Sequence, residues 1–315
     1  MRDILLSRYV TNVEINKTSS DRIKCVIGIV IAACLFLFTS NAYAISIAPT
    51  LDSAKLKNAL IGSGLTSIDL TSALVTVAGH ECSECGWDQF SNRVAATSAG
   101  TFLDDSNTFG LSTGIIISSG GVEPNVRDAG YTPYGSTGDG NPATSAQNSL
   151  LSPITGKSDH FDVTQIDIAF DMQPGINQIA FDIIFATNER WEGGLHDFNT
   201  DFVDGFGLYV NGVNVAFVDH QLVNINFPDF IFGGETQFEG LLFNDLTGVV
   251  HHVTAPVNAL GNNVTLILGD ASDGEVQSGV FVSMVSAKAV PVPTSLILLV
   301  SGLVGLIGFR SKFKR

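Results

Sequence analysis

The sequence predicts an all-β protein, in which a single β-sandwich or jelly-roll-like domain lies between two short apolar segments. Short apolar runs, β-branched or alternating, recur between residues 68 and 285, and Gly, Asn, Asp and Pro separate them. Helical periodicity is found just before this region, at residues 51–61. Many short strands with little helix are typical of sandwiches and jelly rolls.

The N-terminal segment is typical of a secretory signal peptide. A basic flank at 22–24 precedes a 14-residue apolar run over 25–38, which is short for a membrane span, and the small-residue triplet that ends at Ala44. We therefore predict a signal helix within 1–44 and cleavage by signal peptidase after Ala44. Lipidation of Cys34, which ends a lipobox-like sequence, is an alternative, but apolar residues continue beyond it.

The central region is predicted to be a strand-rich domain with one helix at its start. The helix covers 51–61, and Asn211-Gly212 between two apolar runs predicts a type I′ hairpin. Residues 119–160 are rich in Gly, Ser, Thr and Pro, and we predict a long surface loop there. Strands are predicted over 68–77, 115–118, 166–170, 179–185, 206–210, 213–218, 249–253, 264–268 and 280–285.

The C-terminal segment is predicted to be a short transmembrane helix. Its apolar residues, 296–309, follow Val290-Pro291-Val292-Pro293 and precede a basic end that favours the cytoplasmic side. The tail thus consists of a Pro motif, a short Gly-containing helix and a basic end. This order closely resembles the PEP-CTERM sorting signal. Val292 stands where that family usually has Glu.

The resemblance implies that residues 290–315 are a sorting and membrane tail, with Pro291, Val292 and Pro293 as its motif. An exosortase-type transpeptidase would then be a partner of the chain. The tail would hold the chain transiently in the inner membrane before its release to the cell envelope or the extracellular space. An ordinary C-terminal membrane anchor is the alternative.

Residues 45–289 form the predicted mature domain, and their composition is strongly acidic. These 245 residues include 28 acidic and seven basic side chains, which gives a formal charge of −21 with His neutral. Such a charge repels nucleic acid and suits a solvated extracellular surface or one that collects divalent cations. The 45% hydrophobic content and 21 Phe of the chain favour a packed core over disorder.

Five motifs follow one another along this domain. They are Ser112–Gly120, Phe170 followed by Pro174, Ile179–Glu189, Val203–Gly207, and Gly269–Ala271 with Ser278–Phe281. In this order they resemble the choice-of-anchor L domain, which occurs on exported proteins with interchangeable sorting tails. Asn188 and Gly205 depart from the family pattern. The resemblance spans about 110–282 and implies surface display, and the family has no settled biochemical activity that could be carried over to this chain.

Cys82 and Cys85 are the two cysteines of the mature domain, and they form a C-x-x-C motif. In an exported protein this spacing favours a local disulfide. A thioredoxin-like redox pair would need a βαβ context, and zinc would need two further ligands. We predict the disulfide Cys82–Cys85.

Two acidic loops form the candidate metal site: residues 197–201, with Glu189, Glu192 and Asp204 nearby in sequence, and residues 270–275. Residues 197–201 read D-x-N-x-D, but Phe202 and Leu208 occupy the positions where an EF-hand has Gly and Glu. Calcium tolerates irregular oxygen cages, so loops at one end of a sandwich can share an ion. Alternatively, these residues only form turns. The predicted calcium ligands are Glu189, Asp204, Asp270 and Asp273.

Motifs for catalysis are weak. Ser112 lies in a G-x-S-x-G sequence, but a nucleophile elbow needs a helix after the serine and residues 115–117 read as a strand. The pattern therefore indicates a turn that leads into a strand. Five scattered histidines show no zinc spacing and are predicted to be surface or structural residues. They are His160, His196, His220, His251 and His252.

The sequence as a whole predicts an exported, non-enzymatic protein of the cell surface or extracellular matrix. Its predicted ligand is glycan, such as exopolysaccharide, or other matrix material, and calcium is its candidate cofactor. The alternative function is a secreted, glycosidase-like hydrolase that uses the acidic loop residues as general acid and base.

Overall fold

The structure is a computed structural model, and it describes residues 45–61, 68–87, 93–104, 110–122, 140–187, 202–226, 231–232, 246–247, 250–272 and 278–288. All of these belong to the compact unit that begins at Ala44. The predicted signal segment 1–44 and tail 290–315 lie outside the described residues. Within the described ranges, no helix has the length and apolar character needed to cross a membrane.

Most of the strands belong to two antiparallel sheets. The order in the first sheet is β1-β5-β6-β17-β8-β14-β13, with β15 also paired to β8. Its strands are β1 (Ile45–Pro49), β5 (Ala99–Asp104), β6 (Thr113–Ser118), β8 (Gln178–Thr187), β13 (Ile231–Phe232), β14 (Leu246–Thr247), β15 (His251–Pro256) and β17 (Ser278–Lys288).

The second sheet has five strands in the order β10-β9-β16-β7-β2. They are β2 (Ile68–Ala78), β7 (His160–Met172), β9 (Gly205–Val210), β10 (Val213–Asn214) and β16 (Asn262–Ala271). Two separate ladders join β3 (Glu81–Trp87) to β4 (Arg93–Thr97) and β11 (Phe217–Val218) to β12 (Gln221–Leu222).

One apolar core fills the space between the two sheets, which confirms the predicted sandwich. Alternate residues of the strands point inward, since side chains along a strand alternate between its faces. Helix α1 (Ser53–Ile61) adds Leu56, Leu60 and Ile61 to the same core. The strand contributions include Ile166, Ile168 and Phe170 from β7, Leu266 and Leu268 from β16, Phe181 and Ile183 from β8, and Val280 and Val282 from β17.

The predicted type I′ hairpin is present between β9 and β10. Asn211 and Gly212 have φ angles of 51° and 80°, and this turn requires positive φ at both central residues. The predicted continuous strand over 213–218 is wrong. Asn214 Oδ1 accepts hydrogen bonds from the backbone N–H groups of Leu208 and Ala216, and this local bonding divides the segment into β10 and β11.

The predicted loop over 119–160 is wrong where helix α2 (Ser145–Thr155) forms. A capping box of Thr144 and Gln147 begins this helix, and Gly156 ends it with φ of 74°. Leu151 and Ile154 pack on the outer face of the second sheet. Residues 123–139 lie outside the described residues.

The strand directions give the sandwich two distinct ends. Register pairs Ile45 with Asp104 and Lys288 with Gln178, so both ends of the described chain lie at one end of the first sheet, called the terminal end. At the opposite end, called the loop end, β6 and β8 finish and β17 begins. β16 also finishes at the loop end, and β9 begins there. Asp204, which directly precedes β9, is hydrogen-bonded both to Ala271 at the end of β16 and to Ser278 at the start of β17.

Candidate functional site

A cluster of buried polar residues joins the two sheets at the loop end, and we call it the inter-sheet polar network. All of its side chains are fully buried, and they come from strands of both sheets or the residues next to them. Buried polar groups are costly unless they are hydrogen-bonded, so their pairing matters for stability. The network consists of Ser118, Ser119, Thr164, Thr187, Asp204 and Ser278.

Asp204 is the carboxylic acid of the network. Its Oδ2 lies 2.7 Å from Ser278 Oγ, and its Oδ1 accepts from the backbone N–H of Ala271 at 3.0 Å. Ser278 Oγ also lies 2.8 Å from Thr187 Oγ1. Because a hydroxyl has one proton and an ionised carboxylate only accepts, Ser278 donates to Asp204 and Thr187 donates to Ser278. Asp204 therefore links the start of β9 to the first sheet.

The backbone of Ser278 completes the connection. Its carbonyl accepts from Ser119 N and Ser118 Oγ, both at 3.0 Å, and its N–H donates to Ser119 Oγ at 2.9 Å. Thr164 Oγ1, from β7 of the second sheet, donates to the Ser118 carbonyl at 2.7 Å. These bonds fix the strand ends at the loop end, where the chain leaves the two sheets.

The structure brings together two of the four predicted calcium ligands. Gly205 of β9 pairs with Gly269 of β16 in an antiparallel ladder. Asp204 and Asp270 therefore lie opposite each other, one position further toward the loop end, and both are fully buried. Glu189 and Asp273 lie outside the described residues, but they follow Thr187 by two positions and Asp270 by three.

Calcium binding remains a prediction. Within the described part of the chain, no group of three or more His, Cys, Asp or Glu could hold a metal ion. Asp204 and Asp270 fit calcium by donor type, since calcium prefers carboxylate and other oxygen ligands. A complete site would therefore need Glu189 and Asp273 as well.

Asp162 is a residue of this region that sequence reasoning missed. It is buried, has φ of 48°, and accepts hydrogen bonds from Gly140 N at 2.8 Å and Asn141 N at 2.9 Å. It therefore holds the segment that leads into α2 against β7. A buried aspartate that binds consecutive backbone amides has no sequence signal beyond an acidic residue at an inward strand position.

His160 confirms the structural interpretation of the histidines. It is buried beneath α2, where Nδ1 lies 2.8 Å from Asn148 Oδ1 and Nε2 lies 2.8 Å from Thr155 Oγ1. Burial lowers the pKa of His160 to about 4, against a smaller opposing effect of Asp159. The side chain is therefore neutral at pH 7 and fixes the helix to the sheet.

Two of the remaining histidines are surface residues, as predicted. His220 is exposed in a turn, and His252 is about half exposed with Nδ1 2.6 Å from Asp182 Oδ1. His251 is largely buried on β15. His196 lies outside the described residues.

The G-x-S-x-G sequence is a turn into a strand, as predicted. Ser112 precedes β6, which begins at Thr113. Gly114 has a packing role, because a Cβ there would lie 2.8 Å from Phe102 Cε1 and from Ser283 Oγ. This close packing accounts for the second glycine of the motif without a catalytic role.

Cys82 and Cys85 lie in β3, where the ladder to β4 changes register between Cys82 and Gly86. The backbone thus bulges within the C-x-x-C motif, whereas residues three apart in a regular strand are about 10 Å apart and point to opposite faces. The side chains of both cysteines lie outside the described part, and the disulfide stays a prediction. The D-x-N-x-D loop, 197–201, is also outside it.

A comparison with known families identifies the family of the central domain. The model of the choice-of-anchor L domain matches residues 63–288. This range includes the inter-sheet polar network and most of both sheets, and it begins well before the region over which the sequence motifs resemble that family. No curated protein and no solved structure matches the chain.

Proposed function

The chain belongs to the choice-of-anchor L domain family, and from that membership we propose that it is a non-enzymatic binding protein displayed outside the cell. The family match supports an exported, cell-surface protein. Our proposal adds that the domain binds matrix polysaccharide, that it is sorted through its C-terminal tail, and that calcium stiffens its loop end.

The observation that carries this proposal is the separation of the two ends of the sandwich. Ile45 directly follows the predicted signal cleavage site, and Lys288 lies two positions before Val290, the first residue of the predicted tail. Both lie at the terminal end. A chain held at the membrane by its tail would therefore attach at the terminal end and present the loop end outward, as expected of a display domain.

The sorting tail is the second part of the proposal. Its support is the order Pro291-Val292-Pro293, short apolar helix and basic end in the sequence. We propose that an exosortase-type enzyme removes the residues beyond this motif. Mass spectrometry of the protein from the cell envelope would then find no peptide from residues 296–315, whereas an intact C-terminus would indicate a plain membrane anchor.

Calcium is the third part. Asp204 and Asp270 would hold the ion from adjacent strands, together with Glu189 and Asp273 from the neighbouring segments. A bound calcium ion supplies positive charge where carboxylates are close together, in a domain whose own charge is −21. Ser278 and the Ala271 amide would orient the Asp204 carboxylate toward the ion.

Hydrolysis is the less favoured function. A glycosidase requires carboxylates that reach the substrate. Asp204 and Asp270, which are acids of the two predicted loops, are fully buried, and Asp204 is engaged by Ser278 and Ala271. This burial favours a structural role for both side chains.

Polysaccharide binding can be tested with the full chain in mild detergent. The protein should be retained on beads carrying polysaccharide prepared from the producing cells, and soluble polysaccharide should release it. Heat-unfolded protein is the control and should pass through. Equal retention on bare beads would contradict the proposal.

A further inference from the structure

Helix α2 covers only part of the outer face of the second sheet. Its residues Leu151 and Ile154 pack on Ile267 and Tyr209, near the loop end. Toward the terminal end, the outward side chains of β2, β7 and β16 are polar or exposed. We call this area the open face, and its members are Leu74, Thr76, Gln165, Asp167, Asp171 and Asn263.

The open face is accessible to a large ligand. Leu74 is 65% exposed, Thr76 and Asn263 are exposed, and Asp167 and Asp171 are half-buried. The register places Thr76 beside Asp167 on the neighbouring strand. Asp167 in turn pairs with Thr265 on β16, and strands in a sheet lie about 4.8 Å apart, so these side chains form a row across three strands.

The carboxylate of Asp167 is held in a fixed orientation. Thr265 Oγ1 donates to its Oδ1 at 2.5 Å, and Gln165 Nε2 donates to its Oδ2 at 2.7 Å. Asp171 lies four residues further along the same strand, and its Oδ1 accepts from Gly261 N at 2.7 Å. An ionised carboxylate can accept about four hydrogen bonds, so both groups keep capacity for a ligand.

We propose that the open face binds a cationic glycan, an amino-sugar polymer whose protonated amines pair with Asp167 and Asp171. This inference rests on the proposed function and names the class of its ligand. Charge complementarity selects the class, because a domain with a formal charge of −21 repels acidic polysaccharides and attracts polycations.

The geometry fits such a ligand. Ammonium groups form charge-assisted hydrogen bonds with oriented carboxylates, and these are about twice as strong as neutral ones. Sugar hydroxyls can bond to the side chains of Gln165, Thr76 and Asn263. Leu74 offers apolar contact to the C–H surface of a sugar ring.

Two oligosaccharides that differ only in charge test the proposal on the full chain in mild detergent. One is a glucosamine hexamer, cationic at mildly acidic pH, and the other is its fully N-acetylated, neutral counterpart. Calorimetric titration should show at least about tenfold tighter binding of the cationic hexamer, since one charge-assisted contact is worth about that factor. Added salt should weaken this binding.

Matched variants locate the surface. Asp167→Asn should weaken binding of the cationic hexamer about tenfold, and Asp171→Asn should weaken it in the same direction. Asp182→Asn, the same change on a half-buried strand residue of the first sheet, should leave binding unchanged. Thermal melts of the three variants confirm that each remains folded.

Three outcomes would overturn the proposal. Equal affinity for the two hexamers would leave polysaccharide binding intact but remove the cationic class. Equal losses in Asp167→Asn and Asp182→Asn would mean that net charge, and not the open face, attracts the ligand. Binding of neither hexamer would remove the amino-sugar ligand, while retention on the native polysaccharide would still test the proposed function separately.

Discussion

At the scale of single residues, the buried carboxylate of Asp204 depends on donors from two different strands. Ser278 Oγ lies 2.7 Å from its Oδ2, and Ala271 donates its backbone N–H to Oδ1. Ser278→Ala should lower the free energy of unfolding by about 2 kcal/mol, because a lost hydrogen bond to a buried charge costs about 1.5–3 kcal/mol. Urea denaturation measures this difference.

Ser149→Ala is the matched control for that experiment. Ser149 is exposed on α2 and donates to the Ser145 carbonyl of the same helix. Its loss should change stability by less than about 0.5 kcal/mol. Equal effects of the two serine variants would show that the inter-sheet polar network contributes no more than an exposed helix residue.

The network itself could not be predicted from the sequence. Ser118 and Ser278 are 160 positions apart, and Asp204 and Ser278 are 74 apart. Ser and Thr at the ends of strands are also ordinary turn residues, so nothing local distinguishes those that are buried. Asp204 was singled out for its charge, whereas its serine and threonine partners carry no comparable signal.

His160 gives a prediction about pH. Its pKa is lowered from 6.5 to about 4 in the folded protein, so the unfolded chain binds more protons between these values. The stability that neutral His160 contributes is therefore fully present above pH 6.5 and is lost as the pH falls toward 4. Between pH 7 and 5, the free energy of unfolding should fall by about 2 kcal/mol from this residue.

Denaturant titrations at several pH values, on the wild type and on His160→Gln, measure that contribution. Glutamine does not titrate, so the variant should lose most of the slope between pH 7 and 5 whatever its stability at pH 7. Identical slopes in the two proteins would show that carboxylates, and not His160, cause the acid sensitivity.

At the scale of elements, α1 and nine strand segments could be predicted, because their apolar patterns match what they bury, whereas β1, β3, β4 and β5 were not predicted. Nearly all of the predicted strands lie within or overlap strands of the structure, usually short by a few residues at their ends. Helix α2 was missed because Ser, Asn and Gln dominate its sequence and Pro153 lies inside it. Thr144 and Gln147 form a capping box that was readable as a helix start.

The close packing of α2 on the second sheet depends on glycines in the strands beneath it. A Cβ on Gly205 would lie 2.8 Å from Ile154 Cγ2 and 2.9 Å from Thr155 Cγ2. Gly205→Ala should therefore lower the free energy of unfolding by about 1–3 kcal/mol through overpacking. Thermal or urea denaturation measures the loss.

A double-variant cycle separates this steric effect from a loss of backbone freedom. Ile154→Ala removes one of the two clashing methyl groups, so the combined variant should lose less stability than the sum of the single variants. Strict additivity would show that contact between Gly205 and α2 does not limit the packing.

At the scale of the whole molecule, the sequence predicted that two acidic segments meet at one end of the sandwich. The structure brings their strand ends together, since Gly205 pairs with Gly269 and Thr187 pairs with Ser278. Strand order could not be read from the sequence, however, because β8, β9, β16 and β17 divide between two sheets. The proximity of these strand ends is therefore a consequence of topology that composition alone does not specify.

Calcium should stabilise the whole domain if its loop end binds the ion. The carboxylates of Asp204 and Asp270 are fully buried on adjacent strands of a strongly acidic domain. Binding to the folded state alone adds about 2.7 kcal/mol at a hundredfold excess over Kd, which corresponds to roughly 5–10 °C in Tm. Melting curves of the full chain with calcium and with chelator should differ by that amount, and magnesium should have less effect because it demands tighter geometry.

Two aspartate variants decide whether the effect belongs to the loop end. Asp270→Asn should reduce the calcium-dependent shift strongly, because it removes a charged ligand from the predicted set. Asp219→Asn makes the same change in an exposed turn and should leave the shift intact. Superimposable melts with calcium and chelator would mean that Glu189, Asp204, Asp270 and Asp273 form turns and buried hydrogen bonds and no calcium site.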